Sequence, residues 1–171
     1  MRIAIEAQRL FRPTKFGMDL VALELIKQLK DLDKQNEYFI FVRPGEDRCL
    51  KSEDNFQIVE LPASNYASWE QLALPGALGR YRPDFLHATA NTAPLTGSTP
   101  LLLTLHDVIF MEKSPWKVGG TAYQQFGNFY RRLVVPGAVA RAKHVLTVSN
   151  YEREAIVRRF PKTHSKLSVI L

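Results

Sequence analysis

A chain of 171 residues with 46% hydrophobic and 23% charged residues has enough apolar material for one sizeable core and too much for a disordered segment. Its one cysteine, Cys49, excludes an internal disulfide and a thiolate metal cluster, and no apolar run approaches the roughly 20 residues that span a bilayer. The formal charge of +6 suits anionic partners, but zinc-finger, RNP-aromatic and basic-helix patterns are missing, so no nucleic-acid partner is expected.

In chain order, residues 2–7 (RIAIEA) are β-branched and bounded by polar residues, which predicts a first strand. A loop with Pro13 and Gly17 as breakers follows. Residues 18–32 repeat apolar side chains at helical spacing, with Val21, Leu25, Leu29 and Leu32 as one stripe, widened by Leu23 and Ile26. Asp19 sits in that helix's first turn, where a negative charge is favoured. Strands are predicted over 37–43 and 56–61. The segment WEQLALPGALGRYRPD reads as a helix interrupted or restarted at Pro75. Short strands follow over 85–88 and 101–105, then a helical region over 123–142 broken near Pro136-Gly137. A sixth strand covers 144–148. Ser149 and Glu152 then match a capping box that opens a helix running to about Phe160, and LSVIL begins one more strand.

Strands alternate with helices, and most strands are apolar on both faces. This pattern predicts an α/β, Rossmann-like parallel sheet with helices on both faces, in a single domain over 1–171. Such sheets bind ligands outside the carboxyl ends of their strands. The polar groups expected there are Gln8, Arg9, Lys15 and Gly17 after the first strand, His87, Thr89 and Asn91 after the fourth, His106 and Asp107 after the fifth, and Ser149 after the sixth. Each has a plainer reading as well. His106 and His87 read as hydrogen-bonded strand-end imidazoles, Ser149 as a helix cap, and Gly17 as a turn residue. Neither GxGxxG nor GxxxxGK[ST] is present, so a nicotinamide or P-loop site has little support.

Four stretches in order resemble the N-terminal half of a GT-B glycosyltransferase of retaining family 4. They are MRIAIEAQRLFRPTKFGMDLVALELIKQL, WEQLALPGALGRYRPDFLHA, TLHDVIF and YRRLVVPGAVARAKHVLTVSNYERE, spread so that the likeness covers nearly the whole chain. The resemblance implies an acceptor-side domain whose C-terminal partner domain, absent from this chain, holds the donor nucleotide sugar. It implies His106 and Asp107 at the transferring sugar, and Gly17 with Lys15 at the donor diphosphate. His87, Asn91, Ser149 and Arg9 would be on the substrate side. The donor enters as a substrate; no cofactor and no metal is expected. The acceptor would be a saccharide or a lipid-linked saccharide, as in polysaccharide biosynthesis. Two departures stand out. Lys15 replaces the first of the family's two loop glycines, and the turn after the sixth strand keeps its serine only at the cap. Loss of that glycine is the feature that favours the competing reading, a non-catalytic Rossmann-like binding or regulatory module.

Basic residues crowd the late sequence: Arg141, Lys143, Arg153, Arg158, Arg159, Lys162 and Lys166. They read as a solvated face or as a peripheral contact with an anionic membrane. With cysteine so sparse, a cytoplasmic location is expected, with peripheral contact at the inner membrane face open.

Overall fold

Seven strands, all parallel, form one sheet in the order β3-β2-β1-β4-β5-β6-β7. They are β1 Arg2–Glu6, β2 Glu37–Val42, β3 Phe56–Glu60, β4 Phe85–Ala88, β5 Leu101–Thr104, β6 His144–Thr147 and β7 Leu167–Val169. The structure is a computed structural model that describes residues 1–112 and 122–170; Leu171, the end of the last expected strand, lies outside them. Between the strands come α1 Gly17–Leu32, the single turn α2 Tyr66–Ser68, α3 Leu74–Tyr81, α4 Ile109–Glu112, α5 Ala122–Arg141 and α6 Asn150–Arg159. Two connections, β2 to β3 and β4 to β5, carry no helix.

Parallel crossovers are right-handed almost without exception. A sheet that grows one way from β1 to β3 and the other way from β4 to β7 must therefore place its connections on opposite faces. The core follows this rule. Ile3, Ile5, Tyr38, Ile40 and Val42 pack against α1 and Leu50 of the β2–β3 loop. On the other face, Ala4, Phe39, Phe41, Leu86, Leu101, Leu103 and Val145 pack against α3, α5 and α6. The period-2 alternation of β1 and β2 feeds the two clusters in turn.

Three local expectations change. The buried side of α1 is Ala22, Leu23 and Ile26, while Val21 is 48% and Leu32 80% exposed. Ala22, small enough to bring the helix close to the sheet, belongs to the inward stripe. Helix α5 runs through Pro136 without a break. The proline lacks a backbone donor, but Val134, Val135, Ala138 and Val139 around it are buried, and that packing carries the helix across the defect. The interruption near Pro75 takes the form of a π turn, Trp69–Ala73, in which the Leu74 N–H donates to the Trp69 carbonyl. The widened turn precedes Pro75, which has no N–H to give. It leaves Trp69 and Glu70 both buried, and the Trp69 indole N–H donates to Leu61 O at 2.9 Å.

Gly45 holds the loop after β2 against the loop after β1. A β-carbon there would lie 2.1 Å from the Phe11 carbonyl oxygen, whereas one at Gly79, on the outer side of α3, would meet nothing. Gly45→Ala should therefore cost about 1–3 kcal/mol of stability. Gly79→Ala should be neutral or stabilising by up to about 1 kcal/mol. Urea denaturation of both variants checks the contrast.

Candidate functional site

Outside the carboxyl ends of β1, β2 and β4, where the direction of sheet growth reverses, lies a cleft of about 1180 Å³. Open parallel sheets form ligand crevices at this switch point. The cleft is walled by the β1–α1 loop, the segment 43–46, the stretch 64–66, Ala90 and the first described turns of α5.

The β1–α1 wall is organised by one carboxylate. Asp19, 3% exposed in the first turn of α1, accepts from Arg9 Nε at 3.0 Å, from an Arg12 guanidinium nitrogen, and from the Phe16 backbone N–H at 2.9 Å. It caps the helix electrostatically and fixes both arginines against the cleft.

The floor is polar and buried: Gln8, Tyr66 and Tyr130 line the cleft, and Glu70 and Glu6 lie behind them without lining it. The Glu70 carboxylate receives hydrogen bonds from the Thr92 hydroxyl, from Tyr130 OH at 2.5 Å, from Gln71 Nε2 at 2.8 Å and from Tyr66 OH at 3.2 Å. Tyr66 and Tyr130 meet edge to face, with centroids 5.5 Å apart. Burial pushes the Glu70 pKa up to about 7; the bonds from Thr92 and Tyr130 pull it down, and nearby Glu6 adds to the rise. Glu6 ends β1 and is itself buried, which raises its pKa too. Its Oε1 accepts from the Gln8 N–H at 2.9 Å. Glu6 Oε2 and Gln8 Oε1 are buried with no hydrogen-bond partner among the described residues.

Beside the cleft, at the carboxyl ends of β4 and β5, stand Thr89, Asn91 and His106; Ala90 lines the cleft and these three do not. Thr89 Oγ1 donates to Glu6 O at 2.8 Å, and Thr89 O accepts from His106 Nε2 at 2.9 Å. Because a carbonyl can only accept, Nε2 carries the proton, and Nδ1 of the neutral ring is left as an acceptor. Asn91, 1% exposed and with φ of 68°, accepts the His106 N–H on Oδ1 at 2.6 Å. Asparagine tolerates this left-handed conformation better than most residues. His106 is thus held at the same end of the sheet as the β1–α1 loop.

Residues 17–171 match the sequence profile of Glycosyltransferase Family 4. The chain belongs to Glycosyltransferase Family 4. The crystal structure of WaaG, a glycosyltransferase involved in lipopolysaccharide biosynthesis, is similar in fold, with a TM-score of 0.68 at 10% identity. The match covers 98% of this chain and 44% of that one, so the chain spans less than half the length of the structure it resembles. No curated protein matches the sequence. The α/β, Rossmann-like parallel fold expected from sequence is the fold of this half of a GT-B glycosyltransferase.

Within this Family 4 domain the expected site residues do not all converge. Arg9 lines the cleft, and Phe16 and Met18 line it on either side of Gly17. A β-carbon at Gly17 would meet nothing within 4 Å, so packing does not demand glycine there. Lys15 turns away: its ammonium binds the Asp47 carboxylate and lies 3.4 Å from Arg12 O. His106 and Asn91 are joined directly, but Asn91 is buried beneath the loop and acts on its main chain. Asp107 caps α4 by accepting the Ile109 N–H at 3.2 Å. His87 lies within the sheet, 2.8 Å from Thr104 Oγ1, and burial lowers its pKa to about 4, which keeps it neutral at pH 7. Ser149 accepts the Glu152 N–H at 3.1 Å at the start of α6 and does not line the cleft.

Gln8, expected after the first strand, does line the cleft, whereas Glu6, Tyr66, Glu70 and Tyr130 were not among the residues expected. A signal for Glu6 was present: an apolar strand that runs into Glu6 has the same anomaly as the strand that runs into His106. Of the late basic residues, Arg141 donates to Pro94 O, Gly97 O and Thr99 O, and Lys166 donates to Val139 O and Ala142 O. Both are committed to backbone carbonyls rather than to a free basic face.

The buried acid makes stability depend on pH. Glu70 keeps its proton up to about pH 7 in the folded chain but only to about 4.5 in the unfolded one. The folded state binds more protons in that window, so its contribution is full below about pH 4.5 and is lost as pH rises through 7. The gap in Tm between Glu70→Gln and the parent chain should shift in favour of the variant from pH 5 to pH 8. A gap that stays constant in thermal melts would contradict the assignment.

Proposed function

We propose that this chain is the acceptor-side domain of a nucleotide-sugar-dependent retaining glycosyltransferase. In this reading a second Rossmann-like domain holds the donor across the cleft. The observation that carries the reading is the anchored His106, which stands at the carboxyl end of β5, beside the cleft, with an acceptor nitrogen available for a hydroxyl. Family membership and the coverage of under half of the WaaG chain support it.

Glycosyl transfer develops positive charge at the anomeric carbon and negative charge on the leaving diphosphate. In this chain the N-terminus of α1 offers backbone N–H groups beside Gly17, where the absence of a side chain allows close approach. His106 would orient the transferring sugar or an acceptor hydroxyl through Nδ1. Asn91 and Thr89 are positioning residues, since they hold the His106 main chain and ring. Asp107 contributes by fixing the turn into α4. The donor is a substrate, and no step in this account calls for a cofactor of the chain's own. The acceptor is a saccharide, free or lipid-linked. Among the described residues no helix is long and apolar enough to cross a membrane, so contact with a lipid-linked acceptor would be peripheral.

The test is nucleotide diphosphate release by the full-length protein, with UDP- and GDP-sugars and saccharide acceptors. Acceptor-dependent release is expected, and His106→Ala should lower kcat by about 100-fold. Gly17→Ala should leave the fold as stable or slightly more so, because the site is open and alanine is the better helix former, while weakening donor use. Absence of release with every donor, or full activity of His106→Ala, would remove the proposal and favour a non-catalytic binding module.

A further inference from the structure

The cleft carries more recognition chemistry than transfer alone requires. Four arginines line it: Arg9, Arg12, Arg43 and Arg131. The first two share the Asp19 carboxylate. The other two have no carboxylate partner among the described residues. Arg43, exposed after β2, reaches only Ser64 O at 3.4 Å, and Arg131 on α5 reaches Asn128 Oδ1 at 3.2 Å. Among the described residues Glu46 is the one other acidic group lining the cleft, and it is exposed. The walls thus hold four positive and two negative charges. Beneath them, Gln8 lines the cleft at 4% exposure, and its Oε1 accepts from nothing among the described residues. A buried acceptor without a donor is costly to keep unless a ligand completes it.

We infer that the acceptor taken by this cleft is an anionic saccharide, whose phosphate or carboxylate substituent sits between Arg43 and Arg131 and whose hydroxyl donates to Gln8 Oε1. The inference rests on the acceptor-side reading above and adds the substrate class. Arginine suits the role because its planar fork pairs with phosphate or carboxylate oxygens. A sugar hydroxyl suits Gln8 because it supplies the missing donor and can accept from neighbouring groups. The competing source of the same chemistry is the donor's diphosphate. The first turn of α1, the natural diphosphate site, already holds the Asp19 carboxylate. The two uncompensated guanidiniums stand on other elements, after β2 and on α5.

The experiment is isothermal titration of the 171-residue chain with glucose 6-phosphate, glucose, inorganic phosphate, UDP and GDP, at low and high salt. Glucose 6-phosphate should bind at least tenfold more tightly than glucose or phosphate alone, and should weaken with salt. Arg43→Ala and Arg131→Ala should each weaken it about tenfold. Gln8→Leu should weaken glucose 6-phosphate and leave phosphate unchanged; circular dichroism melts confirm that the variant is folded, and Gln8→Glu, which keeps an acceptor oxygen, gives a second readout. Equal binding of glucose and glucose 6-phosphate, or arginine variants without effect, would overturn the inference. So would UDP or GDP binding more tightly than glucose 6-phosphate through the same two arginines, since these would then belong to the donor. Failure of the glycosyltransferase reading shows separately, as absence of nucleotide release by the full-length protein.

Discussion

The handedness of parallel crossovers governs where everything in this chain can sit. From β1 the sheet grows outward to β3; the chain then returns past β1 to lay down β4 and continues in the other direction. Right-handed connections put α1 on one face and α3, α5 and α6 on the other. At the carboxyl ends of β1 and β4 the connections diverge, and among the described residues no element fills the space between them. The cleft is a consequence of topology, and its polar lining is what the loops add. Those loops cannot move independently. Thr89 ties β4 to Glu6 of β1 and also receives His106 from the β5 side, so three strand ends are joined through two side chains.

The floor of the cleft works against stability. Each buried polar atom without a partner costs about 1–3 kcal/mol, against a typical total stability of about 5–15 kcal/mol. Glu6 Oε2 and Gln8 Oε1, two residues apart in sequence, are two such atoms among the described residues, and Glu70 keeps a carboxyl 1% exposed. Apolar residues of similar shape would hold the sheet end at least as well. Packing therefore gives no reason for these groups, and the π turn that carries Glu70 is a local irregularity of the kind found at functional sites. The same region is firmly built: Trp69 is fully buried, and its indole is bound to Leu61 O.

Much of this was legible in the sequence, because each strand of a parallel sheet is a short apolar run and each run ended where a polar residue or proline intervened. His106 was visible for the same reason. What periodicity could not show was rotation and depth. Of the expected stripe, Leu23 and Ile26 are buried and Leu29 packs against the core, but Val21 and Leu32 face outward and Ala22 takes an inward place, because a small residue lets the helix approach the sheet closely. Glu70 was hidden because a glutamate in a helix is ordinarily a solvated one, and only the tertiary fold brings Thr92 and Tyr130 to it from 22 and 60 residues away. Lys15 misled in the opposite sense. Its place in the first loop suggested a charge for a ligand, but Asp47, on a loop 32 residues later, claims the ammonium. Long-range pairing of this type leaves no local trace.

The division of charge within the cleft follows from Asp19. A helix N-terminus attracts an anion, and here the protein supplies its own, within the first turn and in contact with two arginines. Any diphosphate approaching α1 meets a partly neutralised end and binds through what remains: open backbone at Gly17 and one net positive charge from the Arg9-Arg12-Asp19 group. That arrangement favours a ligand held mainly elsewhere and touched here in passing, as a donor bound by a facing domain would be. The charge that Asp19 does not cancel lies across the cleft on Arg43 and Arg131, above a hydroxyl acceptor at Gln8. One carboxylate thereby restrains the end near α1, whereas on the other walls Arg43 and Arg131 stand without a carboxylate partner among the described residues, with only the exposed Glu46 nearby to offset them.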